Sequence, residues 1–362
     1  MPLRARWLVS VTKAAAYLNA IGTATPANEV HGLFASYASR LIQSDRERRL
    51  FDRMVQRCGI ERRSSVLAPG RPGQLDDAGL YRPGDFADTA TRMRVYQERA
   101  AGLAFAAAVD LDDQLSGITH LVLVSCTGFA APGVDLALIE RLALSPRIER
   151  TMVGFMGCHA AINALRLARH IVRSEPEARV LVICLELCTL HLQETSDLEQ
   201  LFAFLIFADG CAAALVTREP RGLEIGLSTT AIAPQAADQI TWRIGSSGFD
   251  MNLSGSVPST LGALLPCQIA AILHGRPPDE IVHWAVHPGG RSVLDAVQHA
   301  LDLGPEALAT SRDVLRRYGN MSSATVLFVL EAMLEGGAGG PGCAMAFGPG
   351  LAIESLMFEA LA

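Results

Sequence analysis

Gly154-Phe155-Met156-Gly157-Cys158-His159-Ala160-Ala161 runs straight into Ile162-Asn163-Ala164-Leu165-Arg166-Leu167-Ala168-Arg169-His170. Val153 to Phe155 reads as a short strand, the glycines frame a turn, and the apolar spacing from Ala160 onward predicts an amphipathic helix. A thiol therefore stands in the first turn of a helix. Unpaired backbone N–H groups and the positive end of the helix dipole favour a thiolate there. Gly157, Ala160 and Ala161 are small enough to let a substrate carbonyl approach the sulfur. Most cysteines are buried structural residues; this setting points to a nucleophile.

Strands and helices alternate around that unit, so the fold class is α/β. Residues 118–124 read as a buried strand, as do 179–186 and 210–217, and 92–110 is an alanine-rich helix. The C-terminal part repeats the order. Residues 281–287 echo 118–124, each reading Ile-x-His followed by apolar residues. Residues 317–324 echo 152–160 in a Gly-x-Met core, and Gly342-Cys343-Ala344 echoes Gly210-Cys211-Ala212. Three weak matches in one order predict a duplication, with halves 1–218 and 219–362 meeting near Arg218-Glu219-Pro220-Arg221-Gly222. Residues 335–342, rich in glycine, read as a flexible loop before the last strands.

At 362 residues, 50% of them hydrophobic, the chain can bury a large core as one big domain or two fused halves. A net charge of −6 gives no electrostatic case for nucleic acid. The start is weakly signal-like, but Ser10, Thr12 and Lys13 break its apolar run too soon for a leader. Residues 201–216 are the most apolar stretch, and Asp209 and Gly210 interrupt it, so no membrane span is expected. Eight scattered cysteines suggest free thiols in a reducing cytoplasm. Cys184, Cys188 and His191 lack a fourth nearby ligand and the right alternation for zinc, so no metal is expected.

A nucleophilic cysteine needs a basic partner, and acyl transfer needs donors for a developing oxyanion. His287, in Val286-His287-Pro288-Gly289-Gly290, stands where a strand stops. Asn320, in Tyr318-Gly319-Asn320-Met321-Ser322-Ser323, stands at the start of a helix. An imidazole and a carboxamide can together donate two hydrogen bonds to one enolate or thioester oxygen. A helix N-cap is the plainer role for Asn320, but the internal repeat sets it opposite the Cys158 turn.

Gly-Phe-Met-Gly-Cys158, Phe207-Ala208-Asp209-Gly210, His287-Pro-Gly-Gly, Gly319-Asn320-Met321-Ser322-Ser323-Ala324 and Phe347-Gly348-Pro349-Gly350 occur in order. Together they resemble a bacterial type III polyketide synthase, the chalcone- and stilbene-synthase-like branch of the thiolase superfamily. The resemblance implies a duplicated thiolase-like fold of αβαβα layers, a homodimer, and a catalytic set of Cys158, His287 and Asn320. Cys158 would carry the starter, and the other two would hold the malonyl carbonyl as it loses carbon dioxide. Acyl-CoA and malonyl-CoA would be the substrates, without metal or organic cofactor. Phe207 matches a gating phenylalanine. Met251 stands where a second is expected, so that role is open between Met251 and Phe249.

The resemblance also places Cys126, Thr127, His191, Trp242, Ser322, Gly348 and Pro349 around the product cavity. Ala131 replaces a methionine expected to reach into the partner's cavity. For the CoA mouth it assigns Arg53 and Arg57, one helical turn apart, with Gly289, Gly290 and Ser292. A third basic residue is missing at Leu50, with Arg49, Arg62 or Arg63 as substitutes. Small neighbours of Cys158 and the small Ala131 favour a long acyl starter and a resorcinol or pyrone product. A single-extension ketoacyl synthase III-like enzyme and a malonyl-only synthase making naphthalene or phloroglucinol rings are the rivals.

Overall fold

The computed structural model describes residues 15–70 and 75–361; the leader-like start lies outside them. The main sheet has nine strands: β1 (Tyr17–Ala24), β2 (His120–Ser125), β3 (Glu149–Gly154), β4 (Val180–Leu187), β5 (Asp209–Thr217), β6 (Leu223–Ile232), β7 (His283–Val286), β8 (Gly340–Gly348) and β9 (Ala352–Ala360). Their order across the sheet is β7-β8-β9-β6-β1-β5-β4-β2-β3. β1 and β6 pair only through Tyr17↔Glu224 and Leu18↔Leu223, a narrow seam between two half-sheets.

The half-sheets are built alike. β2 is parallel to β4, β4 antiparallel to β5, and β5 antiparallel to β1. Likewise β7 is parallel to β8, β8 antiparallel to β9, and β9 antiparallel to β6. This is the duplicated thiolase-like α/β fold. β7 takes the place of β2, as their sequences suggest. β8, however, corresponds to β4 and not to β5, so the match of Gly342-Cys343-Ala344 with Gly210-Cys211-Ala212 is one strand out. Strands buried on both faces are all runs of small apolar residues, and such runs align with one another in any register.

Alternation along the strands builds the layers. Leu121 and Leu123 face the outer core, while Val122 and Val124 face a second core. That second core is filled by two helices, Ala160–Ser174 and Thr325–Gly336, which contribute Ile162, Leu165, Val326 and Phe328. Helices such as Thr89–Val109 pack on the outer core, giving αβαβα. Each central helix begins at a candidate site turn, so the sandwich brings the ends of the two halves together. The helix Thr325–Gly336 runs until Gly337, which caps it at φ 65°, and β8 begins at Gly340. The expected flexible loop is therefore a tight turn. No helix among the described residues is long and apolar enough to cross a membrane.

Candidate active site

β3 delivers the chain to Phe155 (φ 58°) and Gly157 (φ 76°), and Gly157–His159 form one 3-10 turn before the helix. A side chain at Gly157 would put a Cβ 2.3 Å from Pro349 Cδ, and one at Gly348 would lie 2.3 Å from His159 Cδ2. The Gly348-Pro349 turn thus sits directly on the cysteine turn, which explains why both motifs need glycine. A second interlock joins the halves. Asn320 N–H donates to Ile206 O at 2.8 Å, and Ala208 N–H donates to Asn320 O at 2.9 Å. A Cβ on Gly210 would meet Met321 Sδ at 2.2 Å.

This weave holds Asn320 beside Cys158. The Asn320 Oδ1 accepts the Ser322 N–H at 2.9 Å, which turns the amide so that Nδ2 is the free end. Nδ2 has only a long contact, 3.4 Å, to Gly289 O. The residue does not cap the following helix, whose N-cap is Ala324. His287 follows β7, its N–H bound to Met345 O at 2.8 Å. Its ring is 1% exposed, and neither ring nitrogen has a hydrogen-bond partner among the described residues. An imidazole buried in that state is waiting for a ligand group or a proton.

Burial dominates the electrostatics. It pushes the Cys158 thiol up to about 12; hydrogen bonds from Ser322 and Asn320 oppose the rise and Glu186 adds to it. Burial also pushes His287 down to about 3, helped by His159. Removal from water thus favours the neutral thiol and the neutral imidazole, against the pull of the helix terminus toward thiolate. The sulfur is enclosed, and removal from water outweighs the dipole.

Cys158 opens on a small cavity of about 20 Å³. Phe207, Cys126, Thr127, Trp242, Met251 and Ser322 form most of its wall, with Pro349 at one side. Trp242 and Met251 face each other across the hairpin formed by Ile240–Gly245 and Gly248–Leu253. His191, Phe249 and Gly348 are not part of this wall. Phe249 stacks on His191 at 4.1 Å, and Phe249 N–H donates to His191 Nδ1 at 3.1 Å. His191 Nε2 therefore carries the proton and donates to Thr127 O at 2.7 Å. The pair braces the wall from behind, with Trp242 edge-on to both.

Three residues received no site role from the sequence. Cys188 and Ile240 complete the wall. Glu186, fully buried at the end of β4, accepts from Cys126 N–H (3.0 Å), Thr127 Oγ1 (2.8 Å) and Ser323 Oγ (2.5 Å). Burial raises its pKa against those bonds. A single carboxylate in an all-apolar strand was the available signal.

Arg53 and Arg57 lie on the exposed face of the helix Asp45–Arg57, and only Phe51 of that helix is buried. With Ser292 and Arg291 they line a mouth of about 550 Å³. Gly289, Gly290 and Ser292 line an adjoining cavity that shares Leu50 and Met54. Arg63 does not join them. It is 2% exposed, deep behind Phe207, where it donates to the carbonyls of Phe204 (2.7 Å) and Phe207. The cation facing the helix from the second half is Arg291.

A sandwich of two like halves with a buried thiol, an imidazole and a carboxamide at their junction defines a condensing enzyme of the thiolase type. The family models for the N- and C-terminal domains of chalcone and stilbene synthases match residues 8–220 and 224–362, and the chain belongs to that family. It is 32% identical, over 95% of its length and 91% of the other's, to the alpha-pyrone synthesis polyketide synthase-like Pks18 of Mycobacterium tuberculosis. Its fold matches PKS-I of the brown alga Ectocarpus siliculosus with a TM-score of 0.87 at 28% identity, covering 96% and 98% of the two chains. The C-terminal type III polyketide synthase domain of Steely1 from Dictyostelium matches with a TM-score of 0.87 at 26% identity, covering 96% and 100%. The protein is a type III polyketide synthase, an enzyme that condenses acyl units.

Proposed function

We propose that this synthase loads an acyl-CoA starter on Cys158 and extends it with malonyl-CoA, with His287 and Asn320 as the other catalytic residues. The carrying observation is an Asn320 amide that hydrogen-bonds the buried Cys158 thiol, together with a buried His287 imidazole unpartnered at both ring nitrogens. As the sulfur attacks the starter thioester, its proton passes to His287 and CoA leaves as the thiol. Malonyl-CoA then loses carbon dioxide, and the resulting enolate oxygen receives hydrogen bonds from His287 and Asn320. The enolate carbon attacks the acyl carbonyl and expels the Cys158 thiolate. Phe207 supplies an apolar surface that disfavours the malonyl carboxylate. These steps call on no metal or organic cofactor.

Arg53, Arg57 and Arg291 are suited to the CoA phosphates, with Gly289, Gly290 and Ser292 along the pantetheine arm. A long alkyl starter and a pyrone or resorcinol product are the favoured chemistry, in keeping with the alpha-pyrone synthesis in the name of the mycobacterial relative. β3 is an edge strand, and Met152, Met156, Phe129 and Leu136 stay exposed near it; a homodimer would cover them. We place the enzyme in the cytoplasm, where its thiols stay reduced. The test incubates the enzyme with CoA esters of graded chain length plus malonyl-CoA and reads products by mass. Products carrying a long alkyl tail support the reading. A single ketoacyl product formed only from carrier-protein thioesters overturns it.

A further inference from the structure

A second cavity, of about 70 Å³, lies behind Phe207 and Cys188, which also wall the active-site cavity. The wall is mostly apolar: Leu33 and Phe34 from the helix His31–Leu41, then Leu67, Leu75, Leu192 and Phe204. Ser65, Asp76, Tyr81 and Thr189 also line it, each hydrogen-bonded within the protein; two further polar groups lack the partner their chemistry calls for.

The first is Arg63. Its Nε donates to His31 Nδ1 at 3.1 Å and its Nη1 to the carbonyls of Phe204 and Phe207. Every one of these acceptors is neutral; burial holds His31 at about 4, hence uncharged. Burial lowers Arg63 to about 10, which still leaves it cationic at neutral pH. The carboxylates nearby are committed elsewhere. Asp76 accepts from Leu80 and Tyr81 N–H at 2.9 Å. Asp209 accepts from Val66 N–H, Thr189 N–H and Thr189 Oγ1. Glu29 accepts from His31 N–H at 2.7 Å and from the Arg63 backbone N–H at 3.4 Å, not from its guanidinium. A buried cation bound only to neutral acceptors is expensive unless an anion joins it. The second group is Tyr37, whose hydroxyl is buried with no hydrogen-bond partner among the described residues.

We infer that this cavity is a binding site for an alkyl carboxylate, its chain on the leucine and phenylalanine wall and its carboxylate received by Arg63 and the Tyr37 hydroxyl. The site is separate from Cys158 and independent of the condensation chemistry. Because Arg63 holds the Phe207 carbonyl, the occupant touches the wall of the active-site cavity through that arginine.

Calorimetric titration of the whole protein with dodecanoate and with dodecanol tests this, without any CoA substrate. Dodecanoate should bind, and dodecanol about tenfold more weakly or worse, the worth of a hydrogen bond to a charged group. Tyr37→Phe should weaken dodecanoate about tenfold and leave thermal stability unchanged, since the hydroxyl bonds to nothing in the free protein. Leu33→Trp, at the cavity rim, should abolish binding. Equal affinity for acid and alcohol would reduce the site to an alkyl pocket and overturn the carboxylate assignment. So would an unchanged affinity in Tyr37→Phe. Absence of binding, or dodecanoate binding that survives Leu33→Trp, would place no ligand in this cavity.

Discussion

Asn320 has a job at each end of its amide, and substitution can separate them. Oδ1 ties down the Ser322 N–H at 2.9 Å, while Nδ2 is free to donate toward Cys158. Asn320→Ala removes both. The turn bond is worth about 1 kcal/mol, and loss of one donor to an oxyanion typically lowers the rate about 100- to 1000-fold, or roughly 3–4 kcal/mol. Asn320→Asp keeps an acceptor for Ser322 and removes only the donor. Its carboxyl would sit where the side chain is now 2% exposed and beside the Cys158–Glu186 group, so its pKa should rise well above the usual range. Ionised, it would repel the enolate; protonated, its hydroxyl could donate again. Malonyl-CoA decarboxylation, followed as carbon dioxide release from pH 5.5 to 8.5, should fall at least about 100-fold for both variants at pH 8. Only the aspartate variant should recover part of its rate toward acid, and only the alanine variant should lose the turn-bond stability in urea unfolding at pH 5.5. If Asn320→Ala left malonyl-CoA consumption intact, Asn320 would be a turn residue and the donor assignment would be wrong.

Cys158→Ala should abolish the acyl adduct seen by intact mass after incubation with acyl-CoA; an adduct on Cys126 in the wild type would refute the assignment. Alkylation of free Cys158 by iodoacetamide should keep rising from pH 7 to 9, since burial holds the thiol at about 12; a plateau at neutral pH would mean a standing thiolate. Trp242 donates to Cys126 O at 2.7 Å and walls the cavity, so Trp242→Ala should change starter length or extension number more than turnover. Enlarging Ser322 should shorten products, and unaltered product profiles in both would reduce these side chains to packing. His191 is held neutral, its pKa pushed down to about 3 from 6.5 by burial. A histidine depressed in this way contributes stability above pH 6.5 that is lost as pH falls toward 3, roughly 2 kcal/mol between pH 6.5 and 5. Asp209, raised to about 6, works in the opposite sense below that pH, so the readout is a difference between proteins. His191→Asn should lose about 2 kcal/mol less than wild type between those pH values in urea unfolding; identical pH dependence would show that His191 is charged or solvated. Arg291→Ala should raise KM for malonyl-CoA with kcat preserved, an effect that shrinks in high salt; an unchanged KM would remove Arg291 from the mouth.

Local chemistry was legible in the sequence because it is written in consecutive residues. The strand, turn and helix around Cys158 follow from the glycines and the helical spacing, and the order of such units in each half announces a duplicated α/β fold. Which strand answers to which was beyond reach for β8, since a strand buried on both faces carries no alternation to fix its identity. Burial of the thiol was equally invisible. The sequence puts Cys158 at a helix terminus, where the dipole favours the anion; the enclosing wall from Phe207, Trp242, Met251 and Ser322 reverses that preference, and three of those residues come from the second half of the chain. Arg63, a candidate for the CoA mouth, yields that place to Arg291 for the same reason. Only packing decides that Arg63 is sealed behind Phe207 while Arg291 faces the Arg53–Arg57 helix. Residue type and local spacing determine what a side chain can do; the solvent around it and the partners brought from distant strands decide what it does, because desolvation and contact across the chain are properties of the folded whole.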